Sequence, residues 1–207
     1  MSINYTIQAE VVNIRSDSPK PEDTFLVDTN VWYWLLYSRA TLTNSPPRTY
    51  QIRDYYSYIM NSVSVKSLLC YSGFSLAELA HLIEKAELDI FNGTSGTVKP
   101  KEYRHYYSVE RSRVVTEVKS VWSSIKQMAV PINLTLDESI TDAALNRFQT
   151  QSLDGYDLLI LETMEKEGIV NVITDDGDYV TVPTIRVFTT NRTVIQAAQS
   201  QGKLVIR

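Results

Sequence analysis

Residues 25–32 read FLVDTNVW, with three apolar residues ahead of Asp28, Thr29 and Asn30. The short apolar run predicts a buried strand over residues 24–28, and the apolar residues after Asn30 predict a helix to about residue 36. Asp28 has a simple structural explanation, because a carboxylate in this place can cap the helix by accepting N–H groups of its first turn. Whether Asp28 also has a functional role depends on the positions of the other acidic residues in the sequence.

The rest of the chain alternates between apolar, strand-like runs and helical patterns. Further strands are predicted at 67–71, 132–134, 169–174 and 184–188, and helices at 49–64, from Ser75, and at 102–128, 136–148, 155–167 and 191–200. A cap by Thr135 is expected for the helix that begins near residue 136. This alternation indicates an α/β fold with a mainly parallel sheet covered on both faces.

The domain organisation follows from composition along the chain. Residues 1–23 are polar, contain Pro19 and Pro21, and are expected to form a loosely attached N-terminal arm. Residues 24–207 are expected to form a single domain, with helical or loop insertions near 38–66 and 92–113.

Composition excludes several classes of protein. No apolar run approaches the ~18 residues of a membrane span, and residues 1–24 lack a signal-peptide core. The single cysteine cannot form an intramolecular disulfide and fits a reducing cytoplasm, where we expect the protein to be. One cysteine and two separated histidines disfavour a zinc site. The net charge of −4 argues against broad nucleic-acid binding, but not against acids that act through a cation.

Acidic residues follow the predicted strands or open the helices between them. They lie in four separate segments: Asp28; Glu78; Asp154 and Asp157; and Asp175, Asp176 and Asp178. The carboxyl ends of parallel strands meet at one edge of a sheet, where sites form in open α/β folds. The sequence therefore predicts that these carboxylates converge.

Each acid also has a structural explanation. Glu78 follows Ser75 by three in a capping-box pattern, Asp154 and Asp157 complement a helix N-terminus, and Gly177 is expected to give its turn a positive φ. Two carboxylates 4 Å apart, however, repel by about 4 kcal/mol at an effective dielectric near 20. Four or more on one rim therefore need a cation, and oxygen ligands select Mg²⁺ or Mn²⁺.

Such a site favours phosphodiester hydrolysis. A divalent ion on carboxylates attracts and orients phosphate and activates water. The sequence has no plausible Ser-His-Asp set, P-loop or G-x-G-x-x-G motif that would direct it to another chemistry.

Four segments of the chain resemble the PIN-domain nucleases, a family that includes the toxin ribonucleases of toxin–antitoxin pairs. In the family's order they are FLVDTNVW, FSLAELAHLIEKA, YDLLILETMEKEGI and VITDDGDY, spread over residues 24–188. The resemblance implies a three-layer α/β/α sandwich, dependence on Mg²⁺ or Mn²⁺, and cleavage of single-stranded RNA.

The resemblance also implies roles for individual residues. It places the catalytic, metal-binding core at four acids: Asp28, Glu78, Asp157 and Asp176. Asn30, Thr174 and Asp178 are implied as supporting polar groups, and Asp178 is also counted among the candidate metal-binding acids. Asp154 is a candidate ligand of a second ion. Asp175 could replace Asp176 as the ligand, although the spacing from Thr174 and to Tyr179 favours Asp176.

An antitoxin protein and a homodimer are partners that the resemblance makes reasonable. The added material relative to compact toxins leaves a different substrate or partner open. Two other functions stay open as well. The domain could be a catalytically silent PIN-like module that binds RNA or a partner, or a haloacid-dehalogenase-like phosphatase, although Asn30 stands where that class has a second acid.

The segment 99–113, KPKEYRHYYSVERSR, interleaves basic and aromatic residues. Tyrosines can stack on unpaired bases while cations follow the backbone of a single strand. Candidate substrate contacts are Arg104, Arg111, Tyr103 and Tyr106. The alternative is a solvated helix start whose tyrosines pack on a neighbour.

Overall fold

The computed structural model describes residues 4–133 and 135–207 and contains a seven-stranded sheet. The strands are β1 (Glu10–Asn13), β2 (Thr24–Val27), β3 (Leu68–Tyr71), β4 (Val130–Pro131), β5 (Asn171–Ile173), β6 (Arg186–Thr189) and β7 (Leu204–Val205). Their order across the sheet is β4-β3-β2-β5-β6-β1-β7, and every neighbouring pair is parallel. The predicted parallel α/β fold is therefore confirmed.

In the residues that the structure describes, eight α-helices connect these strands. They are α1 (Thr29–Leu36), α2 (Thr49–Val65), α3 (Ser75–Ser95), α4 (Pro100–Tyr106), α5 (Ser108–Met128), α6 (Glu138–Thr150), α7 (Asp157–Lys166) and α8 (Arg192–Ser200). Short 3₁₀ turns lie at Ala40–Leu42 and Asp178–Thr181. In the described part of the chain, no helix is both long and apolar enough to cross a membrane.

Alternate strand residues pack against opposite layers of helices. Phe25 and Val27 of β2 face a core built with α1 to α5, whereas Leu26 faces a second core built with α7 and α8. A strand buried on both faces carries a continuous apolar run, as β2 does. This arrangement confirms the three-layer α/β/α sandwich.

The N-terminal segment differs from the prediction. Residues Glu10–Asn13 form β1, which pairs with β6 and β7 instead of lying in a loose arm. Val11 packs into one core and Val12 into the other, and both are buried. The expectation of an arm over residues 1–23 is therefore wrong for this stretch, because its apolar residues complete the sheet.

Three predicted boundaries also change. The helix predicted over 102–128 is divided between α4 and α5 at Tyr107, whose φ of −113° and ψ of 73° leave the helical region. Helix α6 is capped by Asp137 and not by Thr135, since the Asp137 side chain accepts the N–H of Ile140. The strand predicted at 132–134 lies earlier, at β4, and position 134 is outside the described residues.

Candidate metal centre

Strands β2 and β5 lie side by side and deliver two acidic segments to the same edge of the sheet. Their last residues, Val27 and Ile173, are paired, and the N–H of Asp28 donates to the Ile173 carbonyl at 3.1 Å. Asp28 and the segment 174–178 therefore leave the sheet together, as expected for the carboxyl ends of parallel strands.

A cleft of about 590 Å³ opens at this edge. Five of the predicted acids line it: Asp28, Glu78, Asp154, Asp157 and Asp176. Asp28 and Asp157 are only 8% and 9% exposed, Glu78 and Asp176 are half-buried, and Asp154 lies at the exposed rim. Asn30 also lines the cleft. The structure thus brings together the four acids of the predicted core.

Thr174 connects two of these acids. Its buried hydroxyl donates to Oδ2 of Asp28 at 2.7 Å and accepts the N–H of Asp176 at 2.9 Å. Asp28 also caps α1 through a long contact of 3.5 Å from the Asn30 N–H, so its capping and site roles coexist. Oδ1 of Asp176 accepts the N–H of Asp178 at 2.9 Å, which fixes the second carboxylate.

Two hydroxyls that the sequence did not indicate as site residues hold the other acids. The Thr29 hydroxyl donates to Oε2 of Glu78, and the Tyr179 hydroxyl donates to Oδ1 of Asp157 at 2.6 Å. Tyr179 is only 1% exposed, so it holds Asp157 from within the core. The signal available in the sequence was position alone, since Thr29 lies within FLVDTNVW and Tyr179 ends VITDDGDY.

The expected capping box of α3 is absent. Ser75 is the first residue of the helix and not its cap. Phe74 occupies the cap position, and its side chain has no polar atom that could accept a backbone N–H. Glu78 is therefore free of the helix end and accepts from Thr29 on α1 instead.

Burial and mutual repulsion disfavour the ionised acids. Burial raises the pKa of Asp28 to about 7, and the negative charges of Asp176 and Glu78 add to this against the Thr174 hydrogen bond. Burial, followed by the charge of Asp28, raises the pKa of Asp157 to about 8. Burial also raises the pKa of Glu78. The protein therefore stabilises the ionised form of these acids poorly.

Buried acids elsewhere in the fold form ion pairs with arginine side chains. Asp23 pairs with Arg207 at 2.7 Å and Glu87 pairs with Arg39 at 3.0 Å. Within residues 4–133 and 135–207, no lysine or arginine forms an ion pair with an acid of the cleft. The described residues therefore supply no cationic side chain that pairs with the ionised acids of the cleft.

The acids fit a hard divalent cation in donor chemistry and in charge. All are oxygen donors, the set that suits Mg²⁺ or Mn²⁺. In the described chain, however, no three His, Cys, Asp or Glu side chains are already arranged to hold a metal ion. The carboxylates point to their hydroxyl and N–H donors, as expected for like charges without a cation between them.

The structure does not bring Asp175 together with the acids of the cleft. Its carboxylate turns away from the cleft and accepts Nε2 of Gln51 at 2.7 Å and the Tyr55 hydroxyl at 2.9 Å. Both donors lie on α2, which the sequence placed in an insertion. Neighbouring residues of the turn thus point in opposite directions, and Asp176 faces the cleft.

Asp178 stands at the margin of the site. Its N–H supports Asp176, but its carboxylate is not among the groups that line the cleft. Burial raises the pKa of Asp178, and the charges of Asp176 and Asp154 raise it further. We therefore assign it the supporting role and not that of a ligand.

Gly177 differs from the expectation of a positive φ, because its φ is −76°. A Cβ built on Gly177 would lie 2.2 Å from Cζ of Tyr5. Glycine is needed here because the Tyr5 ring lies directly against the backbone of the acidic turn.

The predicted substrate residues divide between core and surface. Tyr103 is fully buried and packs on Phe91, with ring centroids 5.5 Å apart, so its assignment to substrate is wrong. Tyr106 is 80% exposed. Arg104 and Arg111 both form ion pairs with Glu84, the second at 2.7 Å.

These two arginines line a second cleft of about 410 Å³ beside α3. His81 lines both this cleft and the acidic one, one helical turn after Glu78. His81 is exposed on α3, and it is a residue that the linings of the two clefts share.

Comparison with known proteins gives one family. The model of the family described as PIN domain matches residues 25–184, a stretch that includes all four acidic segments. No curated protein matches the chain.

Proposed function

Since the chain belongs to the PIN-domain family, whose members are generally nucleases that use divalent metal ions, we propose that it is a Mg²⁺- or Mn²⁺-dependent endonuclease of single-stranded RNA. The observation that carries this proposal is the set of buried acids in the cleft, which have hydroxyl partners but no cationic ones among the described residues. Buried acids elsewhere in the fold have an arginine.

Asp28, Glu78, Asp157 and Asp176 would hold the ion. When bound, a divalent ion supplies positive charge for the phosphodiester and an activated water for its hydrolysis. The protein's own contribution is to orient the carboxylates. Thr174 fixes Asp28, Thr29 fixes Glu78 and Tyr179 fixes Asp157, so that side-chain freedom is removed before substrate arrives.

The second cleft supports a nucleic-acid substrate. Arg104 and Arg111 each direct one nitrogen to Glu84 and keep other N–H donors for phosphate. Because His81 lines both clefts, we expect a strand whose phosphodiester lies at the acids to continue along α3 over the arginines. A flexible single strand can follow such a path more easily than a duplex.

Cleavage assays with matched variants test the proposal. Wild-type protein should cut single-stranded RNA in Mg²⁺ or Mn²⁺ and not in EDTA, and Asp28→Asn and Asp176→Asn should each lose at least about 100-fold in rate. Asp142→Asn, on the exposed face of α6, is the control and should cut as wild type does. Equal cleavage by all four proteins would refute the assignment.

A catalytically silent binding module is the second candidate. The observation that favours it is that no three side chains of the described residues are arranged to hold a metal ion. Calorimetry with Mn²⁺ separates the two functions: ion binding without cleavage of RNA or DNA supports the module, and ion binding with cleavage supports the nuclease. A phosphoenzyme trapped on Asp28 would instead support the phosphatase chemistry considered from the sequence.

A further inference from the structure

A pocket of about 350 Å³ lies on the other side of the acidic turn from the cleft. Tyr5, Arg48 and Tyr50 line it together with Asp175, which forms part of its floor. With Asn191 and Thr193 at the start of α8, the lining comes from four distant parts of the chain: the N-terminal segment, the start of α2, the turn after β5 and the start of α8.

The pocket and the cleft are separated by one stretch of backbone. Asp175 faces the pocket and Asp176 faces the cleft, and the Cα atoms of consecutive residues are about 3.8 Å apart. Tyr5 lies across Gly177, directly beside this divide. A polymer that occupies the cleft can therefore reach the pocket by passing over the turn.

The floor of the pocket is already satisfied by internal hydrogen bonds. Asp175 accepts from Gln51 and Tyr55, and Nδ2 of Asn191 donates to the Asp175 carbonyl at 2.8 Å. These contacts satisfy the hydrogen-bonding groups of the floor, while the Asp175 carboxylate keeps its charge when it is ionised. The groups that remain for a ligand are those on the walls.

The walls carry two aromatic rings and one cation. The guanidinium of Arg15 lies 5.4 Å from the centroid of the Tyr50 ring and holds that ring in place. Tyr5 is half-buried and Arg48 is exposed. Among the described residues Arg48 forms no ion pair, unlike Arg104 and Arg111 in the second cleft, and its positive charge acts against the burial that raises the pKa of Asp175.

We propose that this pocket is a nucleotide subsite, which binds one unpaired base of the strand whose phosphodiester lies at the acids. Tyr5 stacks on the base, Tyr50 forms the opposing wall, and Arg48 contacts an adjacent phosphate. Aromatic stacking with a neighbouring cation is the chemistry that holds single strands. This inference rests on the proposed nuclease function, and it names the part of the substrate that is recognised next to the cleavage site.

Equilibrium binding tests the subsite separately from cleavage. The probe is a fluorescein-labelled single-stranded RNA of about eight nucleotides, measured by anisotropy in Mg²⁺ with Asp28→Asn protein so that the strand stays intact. Adding Tyr5→Ala or Arg48→Gln should each weaken binding about tenfold. Tyr56→Ala, an exposed tyrosine elsewhere on α2, and Lys166→Gln, at the far end of α7, are the aromatic and charge controls.

Abasic substitutions identify the base that enters the pocket. One abasic position along the RNA should weaken binding about as much as Tyr5→Ala does, and the two changes together should cost no more than either alone. Gly177→Ala should have a similar effect, because its Cβ would push the Tyr5 ring out of position.

Each outcome is decisive for one proposal. If wild type cuts RNA but Tyr5→Ala and Arg48→Gln bind as tightly as the controls, the subsite is wrong while the nuclease stands. If wild type cuts no nucleic acid, the nuclease is wrong, and the binding differences still test the subsite. A free nucleoside monophosphate that binds as tightly as the strand would overturn the subsite in favour of a separate nucleotide site.

Discussion

The hydroxyl of Thr174 donates to the carboxylate of Asp28 at 2.7 Å, across 146 positions of sequence. The same oxygen accepts the N–H of Asp176, so one buried side chain sets the positions of two acids that come from adjacent strands. Its role is to orient both acids and not to contact substrate.

Thr174 therefore gives a direct test of positioning. Thr174→Val keeps the shape of the side chain but removes the donor to Asp28 and the acceptor for the Asp176 N–H, and it should lower kcat/KM for RNA about 10- to 100-fold. Thr174→Ser keeps the hydroxyl and should retain most of the activity. A Val variant with the wild-type rate and wild-type Mg²⁺ dependence would show that this hydroxyl has no positioning role.

Removing one charge from the cleft should stabilise the metal-free protein. Asn at position 28 still caps α1, so Asp28→Asn removes repulsion and buried charge without removing the cap. At pH 8 in EDTA we expect the free energy of unfolding to rise by about 1–2 kcal/mol, measured by urea denaturation. Mg²⁺ should then stabilise wild type more than the variant. A variant that is less stable than wild type in EDTA contradicts this electrostatic account.

The contribution of the second cleft to RNA binding can be tested with variants that weaken binding and with a variant of Glu84 that strengthens it. Arg104→Glu with Arg111→Glu should weaken RNA binding and reduce the slope of log K against log salt by about 1.4, because two cations no longer neutralise phosphates of a single strand. Glu84→Gln removes the competing carboxylate and should tighten binding. Unchanged affinity in both variants at low salt would exclude this cleft from the RNA-binding surface.

Arg207 forms buried ion pairs with two aspartates away from the acidic cleft, and these pairs predict that the stability of the fold depends on pH. Arg207 contacts Asp17 at 2.8 Å and Asp23 at 2.7 Å, and the three side chains are at most 9% exposed. Burial acts to raise the pKa of Asp23, but its hydrogen bonds with Arg207 and the Lys20 N–H outweigh burial and hold the pKa below its ordinary value. The pair therefore stabilises the fold above the unfolded pKa of about 4, and this contribution is lost as pH falls through the lowered pKa.

Arg207→Met should accordingly cost about 3 kcal/mol of unfolding free energy near pH 7, with the difference from wild type shrinking below about pH 4. Arg186→Met breaks an exposed pair with Glu10 and should cost no more than about 1 kcal/mol. A difference that stays constant with pH would show that packing of the Arg207 side chain, and not its charge, supplies the stability.

The local sequence pattern was enough to predict much of the fold and the convergence of the acids at one edge of the sheet. The apolar, β-branched run at 169–174 predicts β5, and parallel strands necessarily bring Asp28 and Asp176 to one edge. Strand β1 was missed because it has only four residues, lies in a polar stretch with two prolines, and pairs with strands from the end of the chain.

Side-chain direction could not be obtained from spacing. Asp175 and Asp176 are adjacent in the same motif, and the donors that separate them come from α2, more than a hundred residues earlier. Tyr103 likewise alternates with exposed cations in sequence but lies on the buried face of α4. An antitoxin partner and a homodimer, which came from the family resemblance, stay predictions.

We predict that a divalent cation joins the four acids of the cleft. The most direct measurement is anomalous diffraction from crystals of the protein soaked in Mn²⁺. We predict a peak within bonding distance, about 2.0–2.3 Å, of carboxylate oxygens from Asp28 and at least one of Glu78, Asp157 and Asp176. Fully occupied Mn²⁺ elsewhere on the protein, with no peak among these four side chains, would contradict the account.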